Sequence, residues 1–317
     1  ALQTQSAANL RNMSSANAAY AADWSDRQWT AIPDDAGLYG GNCNTYVAAS
    51  CPPQMLLGWS NDGGMWGYYL NGGKCTYAGG SCGNWANYIP MSFTPAQIDG
   101  AFRLPNCKSF NTYLTGRFYD PVWYAPKDTL TYEAASKWFL SAGEYDSDGQ
   151  GARRSSYCFS PAAMYSPDVL SCQNNGWRNP NTLASGFKSP ASGQASYPDL
   201  KTRMIEHHWL QNKPNTEVNG NFAPLPGGHP VPWFFNHGSN SSPLTLFFDG
   251  HVSVLSVADA MDSDSRTQCG PIQGLWSRGT PLVNGYYMNL SYDWLAETSF
   301  HILTLDGILG RDTLGAK

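Results

Sequence analysis

The first 32 residues contain neither glycine nor proline, so all 32 Gly and all 21 Pro of this 317-residue chain fall after them. Glycine and proline break helices, so a long helix fits at the N-terminal end far better than anywhere later. Residues 1–24, ALQTQSAANLRNMSSANAAYAADW, are dense in alanine. Leu2, Leu10, Met13, Tyr20 and Trp24 follow one another at intervals of eight, three, seven and four. Those intervals place them on one stripe of an α-helix, with Gln, Ser, Asn and Arg opposite. An amphipathic helix is expected within residues 1–30, packing through Leu10, Met13, Tyr20 and Trp24.

From Ile32 to about Pro126 the texture changes. Gly-Gly pairs recur at Gly40-Gly41, Gly63-Gly64, Gly72-Gly73 and Gly79-Gly80, with Tyr and Trp between them. Short strands and tight turns are expected there. The glycines are no phosphate loop, because no Gly-Lys-Ser/Thr follows them. Further on, Thr131–Gly143 reads as a helix closed by Gly143. Ser155–Tyr165 reads as a strand, and Asp199–Asn212 as a strand or a short helix. No internal repeat or domain boundary stands out, so residues 31–317 are read as one globular head.

Only 14% of residues are charged, the net charge is −5, and no basic run exceeds Arg153-Arg154. Nucleic-acid binding needs a basic patch, so none is expected. No apolar run reaches the ~18 residues a membrane span needs. The chain opens on Ala1 and not on Met, so an earlier segment is expected to have been removed. Eight cysteines, none in a C-x-x-C pair, argue for disulfides rather than zinc, and hence for an extracellular or periplasmic setting. Short spacing favours the local loops Cys43–Cys51, Cys75–Cys82 and Cys158–Cys172.

The stretch HGSNSSPLTLFFDGHVSVLSV, His237–Val257, poses a choice between chemistry and a turn. Asp249-Gly250 sits between two apolar, β-prone runs, which is a strong hairpin signal and calls for a two-residue type I′ turn. The chemical reading makes His237, Asp249 and His251 a metal site of a hydrolase, since His and carboxylate are ordinary ligands. No H-E-x-x-H occurs to reinforce it. The acidic stretches Glu144–Gly151 and Ala258–Ser265 read as loops. Their alternate carboxylates, Asp146 with Asp148 and Asp262 with Asp264, are candidate calcium ligands.

Several segments, in their order along the chain, resemble type IV pilin-like proteins and type II secretion pseudopilins. Asn9, Leu10, Arg11, Met13 and Tyr20, followed by AIPDD, resemble the helix that continues from the membrane-spanning half of such subunits. FYDPVWYAPKD is similar to a segment in which Cys often stands where Ala125 stands here. SSYCFSPAAMY is similar to a strand in which Asn stands in place of Ser160, and YPDLKTRMIEHH to a strand ending at a glutamate, Glu206. His237, Asp249, Gly250, His251 and Val252 resemble the prepilin-type C-terminal domain, with eleven residues between His237 and Asp249 instead of nine. TLDGILGRD resembles its tail.

The resemblance implies an α+β pilin-like roll, a long N-terminal helix packed on an antiparallel sheet. Residues 37–110 would be a Gly-, Cys- and aromatic-rich insertion in it. It implies a structural, non-enzymatic subunit of a helical filament, without a cofactor. Its partners would be copies of itself or other pilin-like subunits, with the inner membrane reached through the removed segment. The insertion would sit outermost, with Trp59, Trp66, Tyr68, Tyr69 and Trp85 as a candidate surface for a glycan or a partner protein. Two other readings stand beside it: a secreted carbohydrate-binding module without a filament role, and the metal-dependent hydrolase.

Overall fold

The computed structural model describes residues 1–30, 34, 108–117, 119–140, 155–206, 242–279 and 299–315, together with the backbone of short strands within 55–87, 210–211 and 234–235. Helix α1, Leu2–Asp23, is the one long helix among the described residues. Its backbone turns away at Ser25 and Asp26, both with positive φ. None of the described helices is long and apolar enough to cross a membrane.

The centre is a four-stranded antiparallel sheet made of β1 (Tyr157–Phe159), β2 (Thr202–Glu206), β3 (Leu244–Phe247) and β4 (Val252–Val254). The spatial order is β4-β3-β2-β1. Helix α1 lies along β3 and β4. The architecture is α+β: one face of the sheet carries the helix, and the other is closed by the C-terminal segment around 299–313. Side chains alternate between these faces. Tyr157 and Glu206, paired in register, reach α1, while Cys158, one residue on, meets His301 of that segment.

The helix buries Ser6, Asn9, Leu10, Met13, Ala16, Asn17 and Ala21. That stripe follows three- and four-residue steps, as the sequence spacing requires, but is polar at three positions. Leu10 and Met13 are fully buried, and Tyr20 packs against the core. Trp24 is 54% exposed, stacking on Tyr20 at 5.8 Å just past the helix end. An aromatic cluster of Trp29, Phe110, Trp123 and Phe159 continues the core beyond α1, with ring centroids 5.6–6.2 Å apart.

Three local expectations need correction. Ser155–Tyr165 holds a strand only at Tyr157–Phe159, because Ser160 caps the short helix Pro161–Met164 by accepting from Ala163 N. The Ala258–Ser265 stretch is no loop: Val257–Ser265 is helix α2, capped by Ser256. The hairpin at Asp249-Gly250 forms, but not as a type I′ turn. Gly250 N bonds Phe247 O, Phe247 N bonds His251 O, and only Gly250 has positive φ, at 91°. This is the three-residue hairpin in which glycine takes the left-handed bulge position. The helix expected over Thr131–Gly143 starts earlier and ends sooner, at Thr129–Ser136, with residues 137–140 in turns, and Gly143 lies outside the described residues.

The cysteine pairing also differs. Cys172 bonds Cys269, so the expected Cys158–Cys172 bridge does not form, and Cys158 is buried. Short spacing misled here because Cys158 lies within β1 under His301, while Cys172 meets the Gln268–Gln273 hairpin. The pairs Cys43–Cys51 and Cys75–Cys82 lie outside the described residues. The bridge joins positions 97 residues apart. Cys269→Ser is expected to cost about 2–5 kcal/mol, read as a lower urea midpoint. A midpoint equal to that of the parent would contradict the pairing.

Candidate functional site

Strand β2 carries a buried polar group at each end. Glu206, its last residue, is fully buried. Its Oε1 accepts from Ser6 Oγ at 2.6 Å and its Oε2 from Leu244 N at 3.2 Å. Because Ser6 donates to Glu206, the 2.8 Å contact between Ser6 and Tyr157 runs from the phenol to Ser6. Asn9 Nδ2 donates in turn to Tyr157 Oη and to Tyr124 O, both at 3.2 Å. The polar chain therefore runs Asn9 to Tyr157 to Ser6 to Glu206, stitching α1, β1, β2 and β3. Burial raises the Tyr157 phenol above its usual range, against its hydrogen bonds with Ser6 and Asn9, so it keeps its proton and donates it to Ser6.

At the other end Lys201 and Thr202 meet the C-terminal segment. Lys201 Nζ lies 2.7 Å from Asp312 Oδ2, and neither side chain is more than 1% exposed. Nζ also donates to Ser160 Oγ at 3.0 Å and to Thr304 Oγ1 at 2.8 Å. Asp312 accepts further from Thr202 N, Thr202 Oγ1 and His301 N. Burial pulls Lys201 down, against Asp312. Burial raises Asp312, but the charges of Lys201 and His301 outweigh it and leave it at about 2. His301, with positive φ, bonds Thr202 Oγ1 through Nδ1 at 2.7 Å and approaches Cys158 O through Nε2 at 3.2 Å. Burial, and then Lys201, push it down to about 3.

This constellation of Lys, His, Asp, Thr and Cys has the residue types of an active centre and the geometry of a lock. Lys201, Thr202, Cys158, His301, Thr304 and Asp312 are all fully buried, so a substrate has no approach to them. What the arrangement does is fasten 299–313 to β2.

The residues singled out from sequence are placed as follows. Asp249 and His251 meet, Nδ1 to Oδ1 at 2.6 Å, at the exposed hairpin, and His251 stacks on Phe247 at 4.2 Å. His251 and Phe247, but not Asp249, line a groove of about 870 Å³ between the hairpin and α2. His237, the third member of the metal reading, lies outside the described residues. Asp262 and Asp264 sit two apart on α2, where side chains do not face each other. Asp262 pairs with Arg266 at 2.7 Å and Asp264 with Arg278 at 2.6 Å. Asp146 and Asp148 lie outside the described residues. Trp59, Trp66, Tyr68, Tyr69 and Trp85 belong to three paired strands, Met55–Trp59 and Met65–Tyr69 antiparallel and Asn84–Asn87 parallel to the second. Their side chains lie outside what is described.

Gly79, Ser81 and Gly83 fit the G-x-S-x-G spacing of a nucleophile elbow. That elbow needs a strand-to-helix turn. Here Gly80–Ser81 pairs with Thr76–Tyr77, and the next described element is the strand Asn84–Asn87. Sequence reading missed Ser6, Asn9, Lys201, His301 and Asp312. Ser6 and Asn9 had one signal: each falls four residues before a residue of the same helical stripe, Ser6 before Leu10 and Asn9 before Met13. Lys201, His301 and Asp312 had none, because only the fold brings them together. No family model, curated protein or solved structure matches this chain.

Both His301 and Asp312 bind protons less readily folded than unfolded. As pH falls, the unfolded chain takes up protons first and stability is lost. The share of His301 is full above its ordinary value of 6.5 and disappears toward pH 3; that of Asp312 disappears from about 4 to about 2. Urea midpoints are expected to fall from pH 7 to pH 4. His301→Asn accepts the positive φ and cannot titrate, so it should show a shallower fall. Parallel declines would contradict the assignment.

Proposed function

We propose that this chain is the head of a pilin-like structural subunit, whose work is assembly and presentation rather than catalysis. One observation carries the reading. A 22-residue helix lies against a four-stranded antiparallel sheet and is keyed to it through Ser6, Asn9, Tyr157 and Glu206. Such keying suits a helix that must carry load between a head and whatever lies beyond the helix start. The first turn, Ala1–Gln5, is exposed and free of the sheet, leaving room for a continuing half-helix. The closed Lys201–Asp312 cluster supports the same reading, since it spends the most reactive groups of the fold on fastening. The proposed partners are copies of the chain or related subunits, with an inner-membrane anchor before assembly and an extracellular or periplasmic head.

The coding sequence directly upstream of Ala1 tests this. About 20 apolar residues behind a short charged leader are expected, long enough to span a bilayer. A cleavable secretory signal ending at Ala1 would overturn the filament reading and favour a free secreted module.

A further inference from the structure

Arg203 is the extra residue of a β-bulge. Leu246 pairs with Met204 and Phe247 with Thr202, so Arg203 has no partner on β3. Bulges re-aim a side chain. This one turns the guanidinium into a cavity of about 540 Å³ beside the end of α1. The walls are Ala18, Ala21 and Ala22 of the helix, Pro198 and Phe248, with Asp26 and Gly193 at one side. Arg203 is only 7% exposed. Nη2 donates to Ser192 Oγ at 3.2 Å, and the guanidinium lies 5.1 Å from the Phe248 ring centroid. Among the described residues, Nε is buried with no hydrogen-bond partner, and no carboxylate lies within ion-pair distance of the guanidinium. Asp26 exerts its charge from further off, with Oδ2 taken by Gly193 N at 2.8 Å.

A buried arginine with an idle Nε–H is expensive unless something answers it. Burial lowers its pKa to about 10, against the pull of Asp26, so it remains a cation at neutral pH. The guanidinium fork matches a planar carboxylate with two parallel hydrogen bonds. The nearby negative charge of Asp26 disfavours a dianion such as phosphate, and the alanine and proline walls suit a small apolar body. We propose that this cavity binds a carboxylate carried on a small apolar group, with Arg203 as its anchor. The carboxylate comes either from a free acid or from the C-terminus of a polypeptide. The site stands independently of the filament reading.

The test follows the Arg203 Nε–H resonance in ¹⁵N-arginine-labelled protein during titration with butyrate, acetyl-Ala-Ala, acetyl-Ala-Ala-amide and phosphate. Butyrate and acetyl-Ala-Ala are expected to shift it downfield with millimolar affinity; the amide and phosphate are expected to leave it in place. Tighter binding of the dipeptide acid by about ten-fold identifies a polypeptide end as the source, and equal or weaker binding a free acid. Arg203→Lys keeps a cation and loses the fork. Followed there through ligand linewidths, butyrate should bind about ten-fold more weakly. Asp26→Asn keeps the acceptor for Gly193 N and tolerates positive φ, and should tighten butyrate several-fold. No shift with either acid up to about 50 mM, or butyrate binding unchanged in both variants, would overturn the proposal.

Discussion

A carboxyl group with no exposed surface must be answered by donors, and at Glu206 different parts of the chain supply them. Ser6 comes from α1 and the Leu244 amide from β3, while Tyr157 of β1 acts through Ser6. Both carboxyl oxygens accept, and removing any one donor leaves a buried acceptor short, a loss on the order of 1–3 kcal/mol. Apolar burial alone would let α1 slide or rotate on the sheet, since contact between alkyl groups is non-directional. The hydrogen-bonded chain from Asn9 to Glu206 fixes one register. At the other end of the same five-residue strand, Lys201 and Asp312 do for the C-terminal segment what Glu206 does for the helix. Strand β2 thus holds both covering layers, one on each face.

Much of the secondary structure could be read from sequence, because it depends on local chemistry. The absence of Gly and Pro before Pro33 gave α1, and Asp249-Gly250 gave the hairpin. The turn type was missed because Asp-Gly also suits a type I turn followed by a glycine bulge, and residue identity does not distinguish them. Helix α2 was misread as an acidic loop, although Ser256 with Asp259 three residues later is a helix-start pattern. In that cap Asp259 N donates to Ser256 Oγ. The acidic residues drew attention to metal chemistry and away from the cap.

Less of the site was legible. Glu206 stood out only through the family resemblance, and nothing local marked it as buried. Ser6, Asn9 and Asn17 were assigned to the solvent face by residue type, while the fold buries them by position. A polar residue on a buried stripe is hard to place until its partner is known, and here the partners lie up to 200 residues away. The same holds for Cys172, whose partner follows 97 residues later rather than 14 before. The α+β class survives these errors, because it rests on one helix and a small antiparallel sheet. Keying of the helix and closure of the reactive cluster are the features on which the proposed structural role rests.

Native-state hydrogen exchange measures most directly whether β2 unites the layers. The account predicts one cooperative unit: amides of Asn9–Asn17 in α1, of β2, and of Ile302–Leu305 should open with a common free energy equal to that of global unfolding. Opening of α1 at a free energy clearly below that of the sheet would contradict it. The helix would then be a loosely laid cover, and Glu206 no key at all.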